Sequence, residues 1–190
     1  MTDNEARILV YGIAADDRRF IFLEEGGAFL HYRLKRVSRD ETDLTIGALL
    51  ESPERPDIEV DPDGPSLLLF ADLPEPTMQQ LLGALRDNQM RIDLKAVVTA
   101  TNRAWPLKSL LQELADEHEL MRAWHDLAKL TQKADLLLME PAVLLDRGGF
   151  EAEVEATKRF LKQQSDEPMT LETLIEKKER IEAHLIRLGY

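Results

Sequence analysis

Two segments of this sequence match each other at an offset of 60 residues, and this internal repeat constrains the fold more than any other feature. Three pairs of segments align: ILVYGI at 8–13 with LLFADL at 68–73, LKRVS at 34–38 with LKAVV at 94–98, and, after one inserted residue, LTIGALLE at 44–51 with WPLKSLLQ at 105–112. Lys35 is thereby matched with Lys95. We therefore predict a duplicated unit.

Each copy has the hydrophobic pattern of a β-α-β-α unit. In copy one the predicted strands are residues 7–13 and 29–38, and the predicted helices are residues 16–25, ended by Gly26 and Gly27, and 44–51. In copy two the predicted strands are residues 66–72 and 92–99, and the predicted helices are residues 74–88 and a long helix after Pro106. Strands joined by a helix usually pair in parallel. We predict an α/β fold with about four strands, mainly parallel, and packed helices.

The predicted domains are a duplicated α/β domain and a helical C-terminal extension. Their limits are 1–130 (copy one 7–52, an acidic and proline-rich linker 53–65, copy two 66–130) and 131–190. In the extension one apolar stripe contains Leu171, Leu174, Ile181, Leu185 and Leu188, and a second contains Phe150, Val154, Thr157 and Leu161. Fewer than three heptads do not establish a coiled coil. The stripes predict an antiparallel helical hairpin or, alternatively, the seam of a dimer.

Composition excludes several classes of function. The formal net charge of −12 disfavours nucleic-acid binding, which depends on cationic side chains, and there are no cysteines for disulfides or zinc–thiolate sites. No apolar run reaches the roughly 20 residues of a membrane helix, and the start of the sequence is acidic, unlike a secretory signal. We expect a cytoplasmic protein that binds neither nucleic acid nor membranes.

The junction between the last predicted strand and the long helix is the strongest candidate site. Its polar loop contains Thr99, Thr101, Asn102, Arg103 and Trp105. Open α/β sheets bind ligands at the carboxyl ends of parallel strands, and free N–H groups at a helix start favour anions. The alternative, which we favour, is that these residues form the turn and start the helix while Trp105 packs in the core. The corresponding loop of copy one, RDETD at 39–43, is acidic, so any anion site belongs to copy two alone.

Lys95 is the remaining candidate for chemistry. A buried lysine with a lowered pKa can act as a base or nucleophile, but its ammonium group more often reaches solvent or a carboxylate, for which Glu113 is the candidate here. His118 and His125 are about 10 Å apart along a helix, too far to share one metal ion. Glycine-rich phosphate loops and a GxSxG motif are also absent. We predict no catalytic residues, no metal and no cofactor.

The segment LKAVVTATNRAW at 94–105, with LKSLLQELADEHE at 107–119, resembles the bacterial family known as domain of unknown function 3783. The resemblance is most specific over residues 66–119 and covers about 8–119. The positions that match the family pattern are Lys95, Thr99, Asn102, Trp105, Glu113 and His118. Where the family often has a Thr after the Trp, this sequence has Pro106, which can start a helix but offers no side-chain cap. The resemblance implies a small bacterial protein and no particular activity.

We expect a non-enzymatic protein-interaction or regulatory module, with a protein partner or a second copy bound through the C-terminal helices. The alternative function is a sensor of small anionic metabolites, or an enzyme, that uses the loop from Thr99 to Trp105 with Lys95 as the charged group.

Overall fold

The computed structural model describes residues 6–139 and 147–190. Of Arg147 it describes the backbone and not the side chain. Residues 140–146 of the predicted helical extension, and the acidic residues 1–5, lie outside the described residues. The chain divides into two compact units, Met1–Ala115 and Asp116–Tyr190. The sequence-based domain limits stay a prediction.

The first unit contains a four-stranded mixed sheet. Its strands are β1 (Arg7–Tyr11), β2 (Arg33–Val37), β3 (Leu67–Ala71) and β4 (Leu94–Val97), in the order β2-β1-β3-β4. β1 pairs with β2 in parallel and β3 pairs with β4 in parallel, whereas the central pair, β1 with β3, is antiparallel. The predicted four-stranded α/β sheet, mainly parallel and packed by helices, is confirmed.

Helices cover both faces of this sheet because successive strand residues point to opposite faces. The helices of the chain are α1 (Arg18–Leu30), α2 (Ile46–Glu51), α3 (Glu75–Asp87), α4 (Leu107–Leu138), α5 (Arg147–Leu161) and α6 (Leu171–Arg187). α1 and α3 pack on the face that contains Ile8 and Val10. α2 and the first turns of α4 pack on the face that contains Leu9 and Tyr11.

The register of the strands tests which residues of the repeat are equivalent. Leu9 lies opposite Leu69 in the central pair, and these are residues that the repeat alignment matches. In the outer pairs Lys35 lies opposite Leu9, but Lys95 lies opposite Leu68. Because a shift of one residue exchanges the two faces of a strand, the lysines lie on opposite faces of the sheet. The match between Lys35 and Lys95 is therefore wrong, and the duplication stays a prediction.

α1 continues through the glycine pair that was predicted to end it. A Cβ on Gly26 would lie 2.8 Å from the Tyr32 hydroxyl oxygen, so the Tyr32 ring can pack against α1 only because residue 26 is a glycine. The buried Tyr32 hydroxyl donates a hydrogen bond to the backbone oxygen of Leu23 at 2.6 Å. α1 consequently ends at Leu30, and β2 begins at Arg33 rather than at Phe29.

Lys35 and Arg7 stabilise the end of α2. The ammonium group of Lys35 donates hydrogen bonds to the backbone oxygens of Leu49 and, at 2.7 Å, of Ser52. Arg7 donates to the backbone oxygen of Leu50. Cations at a helix C-terminus satisfy carbonyls that have no partner within the helix. Burial lowers the pKa of the Lys35 ammonium group, but its contacts are those of a helix cap.

The acidic linker between the two halves is anchored to the end of β2. The backbone N–H of Arg39 donates to the backbone oxygen of Glu59 at 2.8 Å, and the N–H of Glu59 donates to the Ser38 hydroxyl at 3.0 Å. Arg36, on β2, forms an ion pair with Glu54 at 3.0 Å. The linker is largely exposed, yet it runs alongside an edge strand.

The second unit contains three helical segments around one core. Leu174, Ile181 and Leu185 of α6 are buried, as are Phe150 and Val154 of α5. Residues of α4 share this core: Leu127, Ala134, Leu137 and Leu138. The two predicted stripes therefore pack within one chain. No helix among the described residues is both long enough and apolar enough to span a membrane.

We expect Leu69→Ala to lower the free energy of unfolding by about 2–5 kcal/mol, because the side chain is fully buried at the centre of the sheet. Phe29→Ala is the control, since 86% of Phe29 is exposed, and should change it by less than about 0.5 kcal/mol. Urea unfolding followed by circular dichroism measures both. Equal midpoints for the two variants would show that the central pairing is misplaced.

We expect a Tyr32-dependent loss of stability at alkaline pH. Burial raises the pKa of Tyr32 from 10.0 to about 12. At a pH below the ordinary tyrosine pKa, Tyr32 is protonated in both the folded and the unfolded protein. As the pH rises from 10.0 toward 12, Tyr32 ionises first in the unfolded chain, and the free energy of unfolding therefore falls. The stability advantage of wild type over Tyr32→Phe should therefore shrink between about pH 9 and about pH 11 in urea titrations. A constant difference across this range would contradict the assignment.

Candidate functional site

The loop after β4 is closed by hydrogen bonds between its own residues. The N–H of Thr99 donates to Asn102 Oδ1 at 2.7 Å, and the N–H of Asn102 donates to Thr99 Oγ1 at 3.2 Å. Asn102 Nδ2 donates to the backbone oxygen of Val97 at 3.0 Å. The side chains of Thr99 and Asn102, two of the predicted ligand-binding residues, are thus engaged in shaping the turn.

The corresponding loop of the first half uses the same device. The N–H of Ser38 donates to the Glu41 carboxylate at 3.0 Å, so Glu41 does there what Asn102 does after β4. The other two acids of this loop form ion pairs: Asp40 with Arg55 at 2.6 Å and Asp43 with Lys108 at 2.5 Å. Acidic residues in this loop therefore have structural partners.

The two loops also pair with each other. The N–H of Ile46 donates to the backbone oxygen of Trp105, and the N–H of Leu107 donates to that of Leu44, both at 3.0 Å. These bonds flank a bridge between Thr45 and Pro106, which the repeat alignment matches.

N–H groups at the start of α4 are consequently engaged by protein oxygens, since that of Lys108 donates to the backbone oxygen of Thr42 at 2.9 Å. This leaves fewer donors there for an anion.

The remaining predicted residues are spread over the molecule. Arg103 lies against Gly47 and forms an ion pair with Glu51 at 3.4 Å. Trp105 is partly buried against the core. Thr101 is exposed, as are Glu113 and His118 on α4.

Lys95 is not close to the loop residues. It is four residues before Thr99 on an extended strand, a separation of roughly 13 Å. Its side chain lies on the face covered by α3 and donates to the backbone oxygen of Ile92 at 2.6 Å. The suggested pairing with Glu113 is wrong, because α4 packs on the other face.

Lys95 lies instead at a pocket between the end of α3 and the start of β4. The pocket has a volume of about 430 Å³ and is lined by Leu82, Leu85, Arg86, Gln89, Met90, Arg91, Ile92 and Lys95. α3 ends here because Gln89 adopts a left-handed conformation with φ of 55°. The N–H of Met90 then donates to the backbone oxygen of Leu85 at 2.8 Å, which turns the chain toward β4.

The pocket combines an apolar wall with three cationic side chains. Within residues 6–139 and 147–190, Arg86, Arg91 and Lys95 form no ion pair with a carboxylate. The nearby Asp93 accepts hydrogen bonds from the hydroxyl and N–H of Ser66, at 2.7 and 3.0 Å, and these lower the pKa of the Asp93 carboxyl. Partial burial lowers the pKa of the Lys95 ammonium group.

The local charge favours an anion. The negative end of the α3 dipole amounts to about half an elementary charge, which three cations outweigh. The wall residues supply apolar surface beside the charge. An anionic group attached to an apolar group fits this combination. Among the residues that the structure describes, no cluster of three or more His, Asp or Glu residues could hold a metal ion.

The sequence-based candidates included Lys95 but not Arg86 and Arg91, which line the same pocket. The segment RDNQMRIDLK at 86–95 carries three cations beside apolar residues in an acidic chain, and this spacing was the available signal. Whether the three side chains converge depended on where α3 ends and on the register of β4.

We expect Asn102→Ala to lower the free energy of unfolding by about 1–2 kcal/mol, because the N–H of Thr99 and the oxygen of Val97 each lose a partner. Thr101→Ala, in the same loop but exposed, should change it by less than about 0.5 kcal/mol. Urea unfolding measures both variants. If Asn102→Ala unfolds at the wild-type urea concentration, the structural role of Asn102 is refuted.

Comparison with known proteins finds a similarity to one family, over part of the chain. No curated protein and no solved structure matches the chain. Residues 66–121 match the model of the family described as Domain of unknown function (DUF3783). The match runs from the start of β3 into α4 and contains the pocket and the loop, so the predicted resemblance is confirmed over this segment. Residues 66–121 of this chain are therefore similar to the DUF3783 family.

Proposed function

We propose that this protein is a non-enzymatic recognition module whose α/β unit binds an anionic group of a partner at the pocket formed by Arg86, Arg91 and Lys95. The observation that carries the proposal is that these three cations form no ion pair among the described residues and have Asp93, which is hydrogen-bonded to Ser66, as a neighbouring carboxylate, although the chain has a formal net charge of −12. Elsewhere on the unit, exposed cations such as Arg55 and Lys108 are paired with acids of the chain itself.

The apolar wall of the pocket supports recognition of a group that is both acidic and apolar. Leu82 and Met90 are only partly buried, so a ligand there would remove apolar surface from water. Desolvation by an apolar group also strengthens the attraction between nearby charges. Charge and apolar surface together therefore favour an amphipathic anion over a simple inorganic one.

We further propose that the protein acts in the bacterial cytoplasm and that the helical unit contacts a protein partner or a second copy. The heptad stripe of α6 packs within its own chain, so this contact would use another face of the helix. Ile175 and Ile186 of α6 are 46% and 72% exposed and are eleven residues apart, which places them on the same side of the helix.

A sensor of small anionic metabolites, or an enzyme that acts on them, is the second candidate function. The pocket volume of about 430 Å³ suits a small molecule, and partial burial lowers the pKa of Lys95, which favours the neutral amine. The loop from Thr99 to Trp105 offers less support for this function because Thr99 and Asn102 bond within the loop.

Thermal unfolding with simple amphiphiles tests the proposal. We expect octyl phosphate to raise the Tm of the wild-type protein, because a ligand at tenfold its Kd adds about 1.4 kcal/mol to the native state, and octanol to leave the Tm unchanged. The double variant Arg91→Glu/Lys95→Glu should lose most of this rise, corresponding to about tenfold weaker binding.

The matched control is Arg18→Glu/Arg122→Glu, which changes net charge equally at two exposed arginines away from the pocket lining. The proposal fails if octyl phosphate raises the Tm of both double variants equally.

A further inference from the structure

β4 has one open edge beside the pocket. The N–H of Leu94 donates to the backbone oxygen of Ser66, and the N–H of Val98 donates to that of Phe70, so these groups face β3. Because N–H groups alternate sides along a strand, those of Lys95 and Val97 face away from β3. Within the described residues β4 pairs with β3 alone.

The side chains along this edge continue the chemistry of the pocket. Lys95 and Val97 lie opposite Leu68 and Phe70, so both are on the face covered by α3. Val97 is 46% exposed, so the next side chain after Lys95 on this face is an exposed apolar one. On a strand added at this edge, the side chains that point to this face are two residues apart, and one would lie beside Lys95 and the next beside Val97.

Asn102 limits how far an added strand can extend. Its side chain donates to the backbone oxygen of Val97, which occupies the acceptor at the end of β4. The N–H and oxygen of Lys95 and the N–H of Val97 remain on the outer side. An added strand would therefore pair over the start of β4, next to the pocket.

The opposite edge of the sheet shows how this chain treats an edge strand with a cation. β2 is the other edge strand, and its Arg36 forms an ion pair with Glu54 of the acidic linker. Directly after β2 the backbone of the linker pairs with the chain through Arg39 and Glu59. An acidic, extended segment of the chain itself lies along the end of that strand. The edge at β4 has comparable charge and no such segment among the described residues.

We infer that the partner at this site is an extended, acidic segment of another protein that adds a strand to β4, and that acidic and apolar residues alternate among the side chains of this segment that point to the face of Lys95 and Val97, that is, at every second residue. Its acidic side chains lie at Lys95 and Arg91, and its apolar side chains lie at Val97 and the pocket wall. Backbone pairing matches a peptide rather than a nucleic acid, which the net charge of −12 also repels. This inference rests on the proposed function of the pocket.

The test uses the full chain and a fluorescein-labelled, amidated peptide, DTVTDTVT, in which aspartate and valine alternate on one face of an extended strand and threonine occupies the other face. We expect fluorescence anisotropy to detect binding, the lysine-substituted peptide KTVTKTVT not to bind, and Arg91→Glu/Lys95→Glu to weaken binding about tenfold or more relative to Arg18→Glu/Arg122→Glu. Hydrogen exchange should show that the peptide protects the amides of Lys95 and Val97. This measurement needs no variant that risks misfolding.

Two peptides, N-methylated at alternate residues, separate strand addition from charge attraction alone. Strand addition predicts that one set of methyl groups weakens binding about tenfold or more and the other set does not, because only alternate amides face β4. Equal binding by both methylated peptides, or unprotected Lys95 and Val97 amides, overturns strand addition and leaves the pocket proposal intact.

Comparison with other anions separates the remaining outcomes. If octyl phosphate binds and the acidic peptide does not, the peptide inference is overturned and the proposed function is not. Failure of both ligands to bind overturns the inference and the proposed function together. If an oligouridylate binds at these cations and the peptide does not, the ligand is a nucleic acid and the inference is overturned.

Discussion

The antiparallel pairing of β1 with β3 is the interaction on which the first unit depends. It joins two parallel strand pairs into one sheet and places Leu9 opposite Leu69 at the centre, where both are buried. Because both central strands are covered on two faces, their side chains supply much of the core. The pairing also sets which residues each helix can cover.

A second contact between the halves determines what the loop after β4 can do. The loops around Thr45 and Pro106 exchange backbone hydrogen bonds, and α4 starts against carbonyl oxygens of the first half. Such bonds satisfy donors that a helix start otherwise offers to anions. This supports the interpretation that the polar loop starts the helix. The pocket at the other end of β4 keeps cations without an ion pair in the described part of the chain and is the better candidate for a ligand.

The pocket illustrates the limit of reading one strand from its sequence. The predicted strand ended at Thr99 and included Lys95, but the face occupied by Lys95 depends on a one-residue difference in register between the two halves. Period-two alternation makes such a difference decisive. In the same way, the pair Gly26 and Gly27 predicts the end of a helix. In the structure the pair lies within α1, where Tyr32 packs so closely that only glycine fits.

The sequence by itself determined the α/β class, the four strands, the long helix after Pro106 and the similarity of residues 66–121 to the DUF3783 family, because hydrophobic periodicity and local motifs are properties of neighbouring residues. Only the tertiary structure decided the antiparallel centre, the opposite faces of Lys35 and Lys95, and the convergence of Arg86 and Arg91 with Lys95. The physical reason is that strand order, register and charge clusters depend on contacts between residues far apart in the chain.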